Sequence, residues 1–383
     1  MLQPVNRLPS EIISRIAQHI PRNFNTPHDI LPLTHVCRYW RGSIISDPEH
    51  WTLISSDSMA LMPLSLERCK AAPLQLELAM RHVGEGFKFR DLIAPYIQNI
   101  ETLWFAELVT IEDFAQTLPN FPQSTPNLRS LELFTEDTPE WDPSIDPFAL
   151  FPDTLRSLKL TDIPLYPSFR QLRTLTHLSF CYFSAQFPLD TLLDLLEENR
   201  SLETVDLMIT SDAFPAPTPR RRVVVLNQLR HLWIMCWDPM IPRTLIANIP
   251  LRRGVRLGIS LHKEQSNPTL NGILSGIPMS QLSSLSSLTS MEYQSSPPVI
   301  RLAGPNGTLS YTSDRTSPFP GEEFPTLPLT DVKELCLVYD SNSFRVPDRH
   351  FSPPSRHSPS NVSQSTYPRS SSLCSQTLHF SPR

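Results

Sequence analysis

The chain has 383 residues and a net charge of −5 at pH 7, with 19% charged and 40% hydrophobic residues. This length allows two to three domains or one long repeat array. The acidic balance argues against bulk nucleic-acid binding, which needs a basic surface, and the composition is that of a globular protein. The sequence contains 10 glycines and 40 prolines. Because proline interrupts long helices and central strands, this composition favours many short elements joined by turns.

The amino terminus has no basic stretch leading into an apolar core, and no uncharged apolar run approaches the roughly 20 residues that span a bilayer. We therefore expect neither a secretory signal nor a membrane partner. The six cysteines are far apart and form no CxxC pair. Most of them lie in apolar stretches, where a thiol behaves as a small hydrophobic group. This usage predicts a reducing compartment, the cytoplasm or the nucleus.

The first helix is predicted to begin near Pro9 and Ser10. Proline is tolerated in a first turn, and Glu11 suits the positive end of the helix dipole. The isoleucines that follow fall on one broad helical face. Pro21 should end this helix, and the polar residues 22–28 should form a loop.

A second helix is expected to begin after Asp29, a residue that suits an N-cap. Pro32 leaves open whether this helix is continuous or broken into two pieces. A short third helix is predicted around residues 43–46. A module of about 45 residues rarely buries this many apolar side chains alone, so a partner or the following domain should cover some of them. The alternative is a helical cap on a repeat protein.

Fourteen residues of this segment, most of them apolar or aromatic, follow a recognisable order. They are Leu8, Pro9, Glu11, Ile12, Ile16, Ile20, Leu31, Leu33, Val36, Cys37, Trp40, Arg41, Pro48 and Trp51. The order resembles the F-box, the adaptor-binding module of ubiquitin ligase substrate receptors. The loop between the first two helices is slightly longer than in that family.

The F-box resemblance implies binding to a Skp-type adaptor and, through it, to a cullin. The adaptor contacts that it implies are Leu8, Pro9, Ile12, Ile16, Ile20, Leu31, Leu33, Val36 and Trp40.

A Leu-x-x-Leu-x-Leu pattern recurs downstream. Its members are Ile100/Leu103/Phe105, Leu128/Leu131/Leu133, Leu155/Leu158/Leu160, Leu175/Leu178/Phe180, Leu202/Val205/Leu207 and Leu229/Leu232/Ile234. Successive members are 28, 27, 20, 27 and 27 residues apart. A period in the high twenties is typical of leucine-rich repeats, which stack short strands into a horseshoe-shaped solenoid. The alternative is a mixed α/β domain in which the leucine spacing is incidental.

The segments between these members fit short returns. Residues 110–118 and 190–198 predict amphipathic helices with acidic first turns. Residues 164–172 are too short and too rich in proline for more than a turn of 3-10 helix. Residues 59–71 predict a helix, and an alternation of leucines at 74, 76 and 78 predicts the first strand. The run from Leu66 to Leu74 resembles the linker of fungal F-box proteins with degenerate leucine-rich repeats.

The periodicity weakens after residue 234. Leu257/Ile259/Leu261 predicts a strand, Leu288/Met291/Tyr293 a poor one, and Val332/Leu335/Leu337 a clear one. Residues 263–328 are rich in serine and proline and are expected to hold an insertion or irregular repeats.

The carboxy-terminal residues 340–383 show almost no apolar periodicity. A segment dominated by serine, proline, arginine and histidine cannot offset its ordering entropy, so we expect disorder. Two interpretations stay open. The tail is either a linker regulated at Ser352, Ser358 and Ser381, which each precede proline, or a gene-model error in which translated intron replaces the final repeats.

The expected fold is α/β, with four regions. They are a three-helix F-box over residues 1–55, a helical linker over 56–73, a leucine-rich-repeat-like solenoid over 74–339 with short strands and helical or 3-10 returns, and a disordered tail over 340–383.

No pattern for bond chemistry is recognised. His28 and His35 have no third metal ligand nearby, and Gly84 and Gly86 lack the lysine of a phosphate loop. The arginines at 220–222 follow a proline-rich run and are interpreted as a solvated loop. We therefore expect no metal, no cofactor, no nucleic-acid partner and no enzymatic activity.

Substrate contacts are predicted on the strand positions that alternate with the inward leucines. Trp104, Phe134 and Trp233 are large aromatic residues at such positions, and aromatic residues on a concave surface are typical binding anchors. The alternative is that the linker, a loop or the tail covers them.

The predicted function is the substrate receptor of a Skp–cullin–F-box ubiquitin ligase, which holds a protein target near the ligase and acts by proximity. The alternative is an F-box protein that binds the adaptor without a cullin and serves as an interaction scaffold.

Overall fold

A computed structural model describes residues 8–20, 29–79, 85–106, 117, 125–135, 153–163, 165, 167–182, 189–209, 222–261, 270–274, 277–295, 298–313, 334–340, 362–363 and 373–379. The chain divides into two compact units, Met1–Cys181 (unit 1) and Tyr182–Arg383 (unit 2). The described elements are mixed α/β, with short helices and a large sheet. A helix long and apolar enough to cross a membrane does not occur among them.

Unit 1 begins with three helices. They are α1 (Ser10–Gln18), α2 (Leu31–Thr34) and α3 (Arg38–Ser46), and a 3-10 turn (Pro48–Trp51) follows. The predicted start of α1 is confirmed. The break in the second helical segment falls after Thr34 and not at Pro32. Pro32 occupies the first turn of α2, where its missing N–H costs no hydrogen bond.

The start of α3 is fixed by Cys37, whose sulfur accepts a hydrogen bond from the Trp40 N–H at 3.5 Å. The third helix is therefore longer than the predicted residues 43–46. A side chain that caps the first free N–H groups of a helix stabilises its start. The signal was present in the sequence, but cysteine is a rarer cap than serine or aspartate.

The helices enclose a small apolar core and continue directly into the sheet. Strand β1 (Leu53–Ser55) pairs in parallel with β2 (Leu74–Ala79). Trp51, just before β1, donates from its indole to the Ile44 carbonyl at 3.1 Å. The Arg68 guanidinium lies 4.4 Å from the centre of the same ring. Strand β1 was not predicted, and it joins the helical region to the sheet.

The helix predicted at 59–71 is confirmed as α4 (Met62–Cys69), and it is shorter at both ends. It ends at Lys70, which has a positive φ of 55° and a ψ of −117°. The Ala72 N–H donates to the Cys69 carbonyl at 3.0 Å and closes the turn. These angles match a type II′ turn, whose first central position favours glycine.

Six parallel strands of unit 1 follow one another in sequence order. After β1 and β2 come β3 (Ile100–Ala106), β4 (Ser130–Phe134), β5 (Ser157–Thr161) and β6 (His177–Tyr182). Leu103, Leu131, Leu158 and Leu178 are in register across four strands and are buried. The sequence prediction of a strand at each leucine triplet is confirmed for these members.

The returns of unit 1 are short. Helix α5 (Glu85–Ile93) and a 3-10 turn (Ala94–Asn99) precede β3. The 3-10 turn predicted at 164–172 is confirmed as Pro167–Gln171. The helix predicted at 110–118 lies outside the described residues, apart from Thr117.

A ladder of side-chain hydrogen bonds joins successive segments of unit 1. Each donor stands directly before the first apolar residue of a leucine triplet and reaches a main-chain carbonyl of the preceding segment. The bonds run from Asn99 to Lys70 at 3.2 Å, from Asn127 to Gln98 at 2.7 Å, from Thr154 to Leu128 at 2.8 Å and from Thr174 to Leu155 at 2.7 Å. The ladder satisfies carbonyls at the ends of the segments, where no strand partner is available.

Unit 2 also begins with parallel strands in sequence order. They are β7 (Thr204–Ile209), β8 (His231–Cys236) and β9 (Arg256–Leu261), and helices α6 (Leu189–Glu198), α7 (Met240–Asn248) and α8 (Leu270–Leu274) accompany them. The helix predicted at 190–198 is confirmed, and so are the strands predicted at Leu202/Val205/Leu207, Leu229/Leu232/Ile234 and Leu257/Ile259/Leu261.

The strand order then becomes irregular. Two 3-10 turns (Met279–Gln281 and Ser283–Leu285) lead into β10 (Ser290–Ser295), β11 (Pro298–Gly304) and β12 (Gly307–Ser313). Strand β12 pairs with β9 in parallel, and the antiparallel β11 lies between β12 and β10. This hairpin is the irregularity expected for residues 263–328.

Two short segments within the tail that was predicted to be disordered form strands. Strand β13 (Glu334–Asp340) pairs with β10 in parallel, and β15 (Leu373–His379) pairs with β13 in the antiparallel direction. A short β14 (Val362–Ser363) pairs with β15. Residues 373–379 contain no proline, so every residue of β15 has an N–H group that can donate to a neighbouring strand. Pairing with β15 satisfies the edge of β13 that does not face β10.

Arg222 is a further correction. The sequence interpretation made residues 220–222 a solvated loop, but the Arg222 guanidinium forms ion pairs with Asp194 and Glu197 of α6. Its backbone N–H also donates to the Asn248 side chain at 3.1 Å. Desolvation lowers the Arg222 pKa, but the hydrogen bonds with Glu197 and Asp194 outweigh it and raise this pKa above its usual value. Arg222 thus fastens its segment to two helices.

Candidate protein-interaction surfaces

Helix α1 exposes two isoleucines beside its buried face. Ile13 and Ala17 are fully buried, whereas Ile12 and Ile16 keep 38% and 36% of their surface exposed. Residues four apart lie on one face of a helix, so these two form a continuous apolar strip. An apolar strip of this kind is a candidate for contact with another protein.

A second apolar patch lies where α2 passes into α3. Val36 is 50% exposed and Tyr39 is 42% exposed, three residues apart. Tyr39 was not among the predicted adaptor contacts. Val36 lies in the turn before α3 and not on a helix, so helical spacing from Val36 could not have identified Tyr39.

The nine predicted adaptor contacts differ in their exposure. Pro9, Ile12, Ile16 and Val36 are exposed, Leu8, Ile20, Leu31 and Leu33 are half-buried, and Trp40 is buried. Only 6% of Trp40 is exposed, so its ring belongs mainly to the core of the helices. An adaptor would reach Trp40 only through that small exposed part of the ring.

Polar side chains fix α1 to the turn that precedes β1. The Ser14 hydroxyl donates to an Asp47 carboxylate oxygen at 2.5 Å and lies 3.1 Å from Nε2 of His50. The same His50 nitrogen is 3.4 Å from that carboxylate oxygen. In a catalytic triad, serine and aspartate contact opposite ring nitrogens. Because both meet Nε2 here, the arrangement is a structural pin and not a proton relay.

The outer face of unit 1 is formed by the side chains that alternate with the buried leucines, and these side chains lie in rows across the strands. One of these rows consists of Trp104, Glu132, Lys159 and Ser179. Trp104 is half-buried, and Lys159 forms an ion pair with Glu132. Phe134 is also half-buried but lies one pleat further along β4, in register with Thr161. The two predicted aromatic contacts of unit 1 therefore occupy neighbouring strands and different rows.

The outer face of unit 2 carries the third predicted aromatic residue, Trp233, which is half-buried. Its row contains Asp206, Trp233, Gly258 and Ser310. Nε2 of His231 lies 3.5 Å from a carboxylate oxygen of Asp206.

Three of the described thiols are unsuited to act as nucleophiles. Burial raises the pKa of Cys69 to about 11. Burial and the neighbouring Asp162 raise the pKa of Cys181 to about 12, and burial also raises that of Cys236. Thiolates are the reactive form, and a raised pKa removes them at neutral pH. Within the described ranges, His, Cys, Asp and Glu form no group of three or more that could hold a metal ion.

A comparison with protein families matches residues 5–56 to the F-box-like family. No curated protein matches the chain significantly. The matched range covers α1 to α3, the following 3-10 turn and β1, which together carry the exposed isoleucines and Val36. F-box domains generally bind Skp-type adaptors. The helical region of unit 1 is therefore an F-box-like domain.

Proposed function

We propose that this chain is the substrate-recognition subunit of a Skp–cullin–F-box ubiquitin ligase, working in the cytoplasm or the nucleus. The observation that carries the proposal is the exposure of Ile12, Ile16 and Val36 within the F-box-like range. Large apolar side chains on the surface gain free energy when a partner removes them from water. Skp-type adaptors are the proteins that F-box domains generally bind, so an adaptor is the partner that would cover these side chains.

The strands supply the second half of the proposal. We interpret the parallel strands of each unit as irregular leucine-rich repeats, since they follow the sequence order within that unit and their apolar residues stack in register. The outer faces of these strands, with Trp104 and Phe134 in one unit and Trp233 in the other, would hold the protein target. The chain would act by holding its target near the ligase, without bond chemistry of its own.

The adaptor contact is tested by titrating a purified Skp-type adaptor into the full chain in a calorimeter. Ile16→Asp and Val36→Glu should each weaken binding at least tenfold, about 1.4 kcal/mol or more, because the new carboxylate would be buried without a partner. Val225→Glu is the matched control, because Val225 is an exposed valine of unit 2. Equal affinity for all four proteins would overturn the assignment.

Recruitment of a cullin is a separate question, and co-purification from cells answers it. Adaptor together with cullin supports the ligase receptor. Adaptor without cullin supports the scaffold, the alternative function drawn from the sequence.

A further inference from the structure

Trp233 lies directly over a glycine on the outer face of unit 2. Trp233 of β8 and Gly258 of β9 are in register. A Cβ atom at position 258 would lie 3.3 Å from Nε1 and 3.4 Å from Cγ of the indole, and closer still to Cδ1. Gly258 is buried although it belongs to the outer face. The glycine therefore lets the indole settle against the sheet, and any larger residue would displace it.

Two methionines extend this apolar area. Met208 and Met235 are in register one pleat beyond Trp233, and both are half-buried. Methionine is flexible and polarizable, so it adapts to the shape of a partner side chain. Trp233 and the two methionines form what we call the Trp233 platform.

Positive charge gathers at the other side of the platform. Arg256 is exposed and in register with His231, one pleat before Trp233. Arg252 and Arg253, just before β9, are exposed as well. Within the described part of the chain these three arginines have no ion pair, whereas Arg230 lies 3.5 Å from Glu203. This excess of positive charge stands out in a chain whose net charge is −5.

We propose that the outer face of unit 2 binds an extended, carboxylate-rich peptide segment whose one large apolar side chain rests on the Trp233 platform. Diagonal neighbours on adjacent strands are about 7–8 Å apart, which is the expected separation of Trp233 and Arg256. Alternate side chains of an extended peptide are about 7 Å apart. An apolar residue at Trp233 and a carboxylate two positions away would therefore meet Arg256.

Carboxylates fit this face better than phosphates. Asp206 and Glu292 belong to the same face, the first beside His231 and the second 3.0 Å from Arg301. Their negative charge would repel a phosphate, which carries nearly two charges at pH 7, more strongly than a carboxylate. The inference rests on the proposed function, for which it names the chemical class of the target.

The test measures the fluorescence anisotropy of labelled peptides with the full chain. The probe carries Glu-Ser-Phe-Ser-Glu between glycine and serine residues. Comparison peptides replace both glutamates with lysine, both with phosphoserine, or the phenylalanine with alanine. We expect the glutamate probe to bind best, with each replacement about tenfold weaker or more. Tighter binding of the phosphoserine or lysine peptide, or displacement of the probe by a nucleic-acid oligonucleotide at lower concentration, would overturn the proposal.

Two variants locate the site. Gly258→Ala should displace the indole and weaken probe binding about tenfold without removing any functional group. Arg256→Gln should have a similar effect that fades at high salt. Gly42→Ala is the control for the first, because a Cβ there meets nothing within 4 Å. Arg129→Gln is the control for the second, because Arg129 is an exposed arginine of unit 1. Probe affinity that is equal in the two variants and the two controls refutes the site.

The adaptor titration separates this inference from the proposed function. Gly258→Ala should bind the adaptor as the unmodified chain does, and an unchanged circular dichroism spectrum and urea unfolding midpoint should show that unit 2 of the variant is folded. If the unmodified chain does not bind the adaptor, the proposed ligase role is wrong, but the peptide result still holds. Absence of selective peptide binding, with adaptor binding intact, would overturn this inference alone.

Discussion

The F-box-like domain and the strands treat their apolar residues in opposite ways. The strands bury every described leucine of the triplets, with Leu103, Leu131, Leu158 and Leu178 aligned across unit 1. The helical domain leaves isoleucines and a valine in water. Burial of apolar surface is the main favourable term in folding. Apolar side chains that stay exposed in the folded chain therefore indicate a surface that associates with another protein.

The largest expected difference tests this contrast directly. Leu158→Ala should lower the free energy of unfolding of unit 1 by about 2–5 kcal/mol, because it removes a fully buried side chain and leaves a cavity. Ile16→Ala should lower it by only about 1 kcal/mol, since more than a third of Ile16 is already exposed. Urea unfolding of the full chain measures both. Similar losses in the two variants would show that Ile16 belongs to the core.

The hydrogen-bond ladder should add to the stability of the strands in unit 1. Thr154→Val and Thr174→Val should each cost about 1 kcal/mol, because valine keeps the shape of threonine and removes the donor. Thr102→Val is the control, since the Thr102 hydroxyl on β3 forms no hydrogen bond within the described residues. Urea midpoints that fall equally in all three variants would mean that the ladder adds nothing.

The smallest effect concerns the turn between α4 and β2. Lys70→Gly should stabilise the chain by about 0.5–1 kcal/mol, because relief of positive-φ strain, about 1–2 kcal/mol, exceeds the entropy cost of glycine. Ala71→Gly, one residue later and without a positive φ, should destabilise it instead. Thermal unfolding measures both signs, and a lower melting temperature for Lys70→Gly would contradict the strain argument.

The strands that belong to the repeated leucine pattern could be predicted from the sequence. Strands whose position depends on a single contact could not. Repeated leucines placed the strands of both units because a sustained period carries information from several segments. Strand β1 was missed because three residues are too few for an alternation to show. The place of β12 beside β9 depends on a hairpin, whose partner strand no local pattern specifies.

The same distinction holds for side chains on the surfaces. Exposed Ile12 and Ile16 agree with the apolar surplus that the sequence shows in the helices. Buried Trp40 could not be separated from them, because the pattern records that a residue is apolar and not which way it points. Arg222 looked solvated for a related reason, since Asp194 and Glu197 lie more than 20 residues away in sequence. The setting of Trp233 depends equally on a distant residue, Gly258.

The continuity of β1 with the F-box-like domain has a mechanical consequence. Trp51 donates a hydrogen bond to the Ile44 carbonyl and lies against the Arg68 guanidinium. The chain then continues into β1, which is hydrogen-bonded to β2. Only Thr52 separates the 3-10 turn from β1, so the helices of the F-box-like domain and the first strands of unit 1 form a single bracket. A target seated on β2 or β3 would meet the ligase from a fixed direction. Under the proposed function, this bracket would restrict ubiquitin transfer to a narrow zone of the target's lysines.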